Sequence, residues 1–160
     1  MKMCYTKKKE GDIVKIYMDN CCYNRPYDDQ SQMRIYLQTQ AKLHIQDMIR
    51  REKIELVTSY ILDFENSNNR SMQKQLAIQK FMNEYAALYV SNRNEKDITK
   101  LAEAIMETGI KEKDAYHVAC AVMAECNYFV TTDDRLLKYQ SEKIKLVTPG
   151  EFIRRMEADK

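Results

Sequence analysis

The chain has 160 residues, 44% hydrophobic and 31% charged, which is the composition of one globular domain able to bury a core without disulfide or metal staples. Its 26 Lys and Arg against 24 Asp and Glu leave a net charge of +2, which excludes a nucleic-acid footprint built on bulk positive charge. No apolar run approaches the roughly 18 residues that a bilayer span needs, and the basic stretch holding Lys2, Lys7, Lys8 and Lys9 lacks an apolar segment, so no membrane span or signal peptide is expected and the protein reads as cytoplasmic.

Residues 1–12 read as an N-terminal arm. With 3 Gly and 2 Pro in the chain, nothing resembles a linker, and 13–160 reads as a single domain. Cys4, Cys21, Cys22, Cys120 and Cys126 match no zinc spacing and are expected as reduced thiols, with Cys21 and Cys22 as small packing residues.

Val14 to Met18 forms the first predicted strand, with Asp19 at its end. A turn around Asn24-Arg25-Pro26 follows, then a helical pattern from about Asp28 to Arg51. Met33, Tyr36, Leu37, Ala41, His44 and Met48 form its apolar stripe, which places His44 in the core. Ile54 to Thr58 is the second strand. Ser59 stands as the cap of a helix carrying Ile61, Leu62, Phe64 and Glu65. A further helix spans about Met72 to Glu84, and Leu88 to Val90 is a weaker third strand. The segment from about Glu95 to Glu107 is helical and is closed by Gly109. Asp114 opens a helix that is apolar nearly all round, which predicts deep burial and makes His117 a packed core histidine. Tyr128 to Thr131 and Ile144 to Val147 complete the strands, and a helix over about Glu151 to Glu157 closes the chain. Strands alternating with helices predict an α/β fold with a parallel sheet between two helical layers.

Ligands of such sheets bind beyond the carboxyl ends of the strands. Asp19, Glu65, Asp114 and Asp133 are the acids this topology brings there. Ionised carboxylates sharing a crevice repel one another, and a hard divalent cation offsets that repulsion while activating water for phosphodiester hydrolysis. Each acid has a plainer role open to it: Asp114 and Asp133 stand where helix caps stand, and Glu65 could be a solvated helix residue. Asp19, directly after an apolar strand, is the hardest to explain that way.

At these residues the sequence resembles the PIN-domain family, particularly its VapC-like bacterial branch. Ile16-Tyr17-Met18-Asp19 is similar to the strand that ends in the family's first acid, and Thr58-Ser59 with Glu65 to its second motif. Lys113-Asp114-Ala115-Tyr116-His117-Val118-Ala119-Cys120-Ala121 resembles the family's Asp-Ala-x-His-x-Ala helix, and Thr131-Thr132-Asp133-Asp134-Arg135 the last motif. The resemblance implies a five-stranded sheet in the order 3-2-1-4-5. It also implies a catalytic site in which Asp19, Glu65, Asp114 and Asp133 hold one or two Mg²⁺ or Mn²⁺ ions, endoribonuclease activity on single-stranded RNA, a small antitoxin protein as partner and a homodimer. Asn20 stands where many relatives carry Thr or Ser. Asp63 is a rival to Glu65, and Asp134 to Asp133. Ser59, Thr131 and Asn20 are expected to orient the carboxylates by hydrogen bonds, and Tyr23, Arg25, Lys113 and Arg135 to contact RNA. Two alternatives stay open: action on DNA or structured RNA, and a non-catalytic binding module with a degenerate metal site. The absence of a glycine-rich phosphate loop disfavours a dinucleotide enzyme.

Overall fold

In the computed structural model, residues 12–158 are described; the predicted arm up to residue 11 lies outside them. Strands β1 (Val14–Met18), β2 (Ile54–Ser59), β3 (Ala86–Val90), β4 (Tyr128–Val130) and β5 (Lys145–Val147) form one sheet in the order β3-β2-β1-β4-β5. Every neighbouring pair is parallel. The helices are α1 (Asn20–Asn24), α2 (Met33–Arg50), α3 (Tyr60–Ser67), α4 (Met72–Tyr85), α5 (Glu95–Met106), α6 (Glu112–Met123), α7 (Asp134–Leu137) and α8 (Pro149–Ala158). Parallel strands need crossovers, and right-handed crossovers that run first one way and then the other from β1 put helices on both faces. The predicted three-layer α/β/α arrangement and strand order are therefore those observed. Among the described residues no helix is long and apolar enough to cross a membrane.

The central strands are buried on both faces. Ile16, Tyr17, Met18, Leu56, Val57, Phe129 and Val130 are all inaccessible, the pattern of a parallel sheet covered on both sides. Helix α6 is buried as its sequence predicts, from Ala115 through Val122 with only Tyr116 partly open. Gly109, at φ +101°, donates its N–H to Met106 O at 2.9 Å and turns the chain after α5, a backbone conformation in which glycine is least strained.

Helix α2 corrects the sequence reading. Its buried residues are Thr39, Lys42, Ile45, Gln46 and Ile49, whereas Met33, Tyr36 and Leu37 are exposed and His44 faces solvent. Apolar residues lie on more than one side of this helix, so spacing alone did not select the face. Packing against β2 and α8 did. Lys42 contributes its aliphatic stem to that face, and its Nζ sits 5.7 Å from the Tyr23 ring centroid and 5.8 Å from that of Phe81. The expected turn after β1 also differs, being helix α1 followed by a 3₁₀ turn over Arg25–Tyr27.

Burial lowers the Lys42 ammonium from its ordinary 10.5 to about 8. A base with a depressed folded pKa weakens the fold while it is charged. That penalty is complete below pH 8 and fades as pH rises towards the unfolded value of 10.5. Lys42→Met should therefore stabilise the protein by about 2 kcal/mol at pH 7, and chemical denaturation at a series of pH values should show the advantage shrinking between pH 8 and 10.5. A destabilised Lys42→Met protein at pH 7 would contradict this.

Candidate active site

Asp19 leaves the end of β1 with its own N–H donated to Val130 O at 2.9 Å, which ties it to β4. Its Oδ1 accepts the Asn20 N–H at 2.8 Å, and its Oδ2 accepts the Thr131 hydroxyl at 2.9 Å and the Cys21 thiol at 3.5 Å. The carboxylate is thus fixed in orientation and only 6% of the residue is exposed. Thr131 Oγ1 in turn accepts the Asp133 N–H at 3.1 Å. One threonine therefore links the acid after β1 to the acid after β4.

Glu65 lies on α3, the helix that Ser59 caps by accepting the Leu62 N–H at 3.2 Å. Its carboxylate contacts His117 Nε2 and lies 3.8 Å from Lys113 Nζ. Behind it runs a buried chain: His117 Nδ1 is 2.6 Å from Tyr17 OH, which is 2.7 Å from Ser59 Oγ. With Nε2–H donated to Glu65, the Tyr17 hydroxyl and Ser59 Oγ complete the chain behind the imidazole. Burial pushes the Glu65 carboxyl up, but the His117 hydrogen bond and charge, Lys113 and the Asn20 amide outweigh it and hold it below the ordinary value. Ser59 thus reaches the carboxylate only through Tyr17 and His117.

Asp114 lies in the first turn of α6, which starts at Glu112 and has Lys111 as its cap residue. It is therefore not the helix cap. Its carboxyl is raised, first by burial and then by the negative charges of Asp19 and Asp133; His117 opposes this and Glu65 adds to it. The other three acids predicted from the sequence thus all act to raise Asp114. Asp133 also caps α7, accepting the Arg135 and Leu136 N–H groups at 2.9 and 3.4 Å. The rivals point elsewhere. Asp63 accepts hydrogen bonds from Gln79 at 2.9 Å and Tyr89 at 2.7 Å, and Asp134 pairs with Arg34 at 2.7 Å.

The expected RNA contacts divide. Tyr23 is buried at 1% exposure beneath Lys42 and cannot meet a substrate; its ring was needed by the core. Arg25 bonds Gln38 and Asp28. Lys113 is exposed beside Glu65, and Arg135 is exposed at the start of α7. Three links behind Glu65 went unrecognised in the sequence. His117 and Lys113 are spaced i, i+4 on α6, which puts both on one face towards Glu65, and that spacing was a usable signal. Tyr17 had none, because its partner His117 lies 100 positions away.

No protein-family model matches the sequence, and no curated protein matches it. Solved structures do. A chain of VapBC2 from Rickettsia felis, bound to a DNA fragment from their promoter, aligns with 10% identity and a TM-score of 0.54, covering 84% of this chain and 98% of that one. A chain of FitAcB from Neisseria gonorrhoeae aligns with 14% identity and a TM-score of 0.55, with the same coverage. FitAB bound to an IR36 DNA fragment gives 14% identity and a TM-score of 0.55, covering 84% and 94%. At such identities the likeness is one of fold, and the fold is that of PIN-type domains.

His117→Leu should destabilise the protein by about 2 kcal/mol in urea denaturation, because Glu65 and the buried Tyr17 hydroxyl each lose a partner. A change within about 0.5 kcal/mol, the range of an ordinary surface substitution, would mean that the buried chain contributes nothing.

Proposed function

We propose, on the premise of a PIN-type fold, that this protein is an endoribonuclease dependent on Mg²⁺ or Mn²⁺, the toxin of a toxin–antitoxin pair that is restrained by a small antitoxin protein and self-associates as a homodimer. The observation that supports the reading is that Asp19 and Asp133 share the Thr131 hydroxyl oxygen and, together with Glu65, act to raise the Asp114 carboxyl. Fold likeness to a chain of the VapBC2 and FitAcB structures supports a nuclease-type toxin.

The donor set suits a hard divalent cation. It consists of carboxylate oxygens, and their repulsion is relieved by positive charge. Among the described residues no three His, Cys, Asp or Glu side chains already converge into a cage. Mg²⁺ tolerates this, since it is commonly held by one or two carboxylates with water completing its octahedron. Asp19 and Asp114 are the residues to hold it, with Glu65 and Asp133 completing the set directly or through water. When bound, a divalent cation supplies positive charge against a phosphoryl oxygen and makes a nearby water a better nucleophile at neutral pH.

The chain's own groups supply placement. Thr131 and the Asn20 N–H fix the two oxygens of Asp19. His117 and Lys113 fix Glu65 and hold it ionised. Cap hydrogen bonds fix Asp133. Carboxylates held in advance need little reorganisation during reaction. Arg135 and Lys113 at the rim offer positive charge to the phosphate backbone.

Labelled single-stranded RNA incubated with Mg²⁺ or Mn²⁺ should be cut, and a chelator should stop the cutting. Asp19→Asn and Asp114→Asn should each lower the rate by more than about hundredfold. Mn²⁺ should also raise the melting temperature of the unaltered protein and not that of Asp114→Asn. Full activity in either variant, or cleavage confined to DNA, would overturn the reading.

A further inference from the structure

Beside Glu65 opens a cleft of about 340 Å³ whose walls are Asn20, Asn24, Asn68 and Asn69, with Phe64, Glu65 and Lys113 completing them. We propose that this cleft receives one unpaired nucleobase of a single-stranded RNA, so that base identity at one position next to the scissile phosphate biases where the strand is cut. The proposal rests on the ribonuclease reading of the neighbouring carboxylates and adds a recognition subsite to it.

The wall chemistry selects for a neutral planar ring over an anion. Glu65 forms part of the wall, and the one lysine there already lies 3.8 Å from the Glu65 carboxylate. A phosphate would therefore meet negative charge that is only partly offset. Amides present donors and acceptors side by side, the pattern that pairs with base edges.

Three of these amides are held in sequence. Asn69 Nδ2 donates to Asn24 Oδ1 at 3.3 Å, and Asn24 Nδ2 donates to Asn20 Oδ1 at 3.2 Å. Glu65 lines the same cleft, so a base seated on these amides lies beside that carboxylate. Asn68 differs. It is the cap residue of α3, its backbone N–H is committed to that helix, and its side-chain amide makes no hydrogen bond among the described residues. Its donor and acceptor are both available to a ligand.

Phe64 supplies the apolar face. It is 67% exposed although it precedes a half-buried glutamate on the same helix. An exposed phenyl ring bordering an amide-lined cleft is a stacking platform for a base that is not held in a duplex. Its exposure also means that its removal leaves the core untouched.

The test uses Phe64→Ala and Asn68→Ala in the full chain. Binding of a fluorescent single-stranded RNA is followed by anisotropy in chelator, and the cut sites of each active protein are mapped by sequencing product ends. The unaltered protein should favour one base at a fixed position beside the cut. Each variant should bind single-stranded RNA roughly tenfold more weakly, the loss expected of a missing stacking or amide contact, and should lose the base preference while still cutting in Mn²⁺. Unchanged affinity and preference in both variants, with cutting intact, would overturn the subsite and leave the ribonuclease reading standing. Absence of cutting by the unaltered protein would instead remove that reading. A Phe64→Ala protein that binds RNA normally but dissociates from dimer to monomer in light scattering would assign the ring to self-association and overturn the proposal.

Discussion

Carboxylates gathered at the end of a sheet buried on both faces create a problem that the rest of this molecule is arranged around. Each is partly withdrawn from water, and burial together with the charges of Asp19, Asp133 and Glu65 raises the Asp114 carboxyl. The fold answers with directed hydrogen bonds. Thr131 joins Asp19 to Asp133 across the β1–β4 pair. On the other side, Ser59, Tyr17 and His117 form a line through the core that ends on Glu65. A buried histidine and tyrosine are costly unless satisfied, and here each is satisfied by holding an acid in place. Positioning the site and completing the core are thus done by the same atoms.

The frame was readable because its signals are local. Short apolar runs separated by amphipathic helices specify a parallel sheet whatever its details. An acid placed directly after β1 or β4 must emerge at the carboxyl edge, so Asp19 and Asp133 could be placed from sequence. Asp114 also had a helix cap's role open to it, which the structure gives to Lys111, because the two residues before Asp114 already belong to the helix. Glu65 was preferred to Asp63 on its spacing from Ser59, and the structure turns Asp63 to Gln79 and Tyr89.

What the sequence concealed depends on distant packing. Helix α2 carries apolar residues on several sides, and only its neighbours β2 and α8 decide that Lys42 and Ile45 go inward while Met33, Leu37 and His44 go out. Tyr23 was expected to contact RNA because it lies in the first loop after β1, but that stretch is helix α1, which folds the ring under Lys42 and against Phe81. His117 was recognisable as buried, and its i, i+4 spacing puts it on one face of α6 with Lys113. That this face meets Glu65 was not legible, since His117 and Glu65 are 52 positions apart.

Cation sharing by the acids is tested directly by anomalous diffraction from crystals grown with Mn²⁺. A peak is expected within coordination distance of both Asp19 and Asp114, near Glu65 and Asp133. Well-ordered crystals grown at high Mn²⁺ with no peak between those carboxylates, or with the ion elsewhere on the surface, would contradict it.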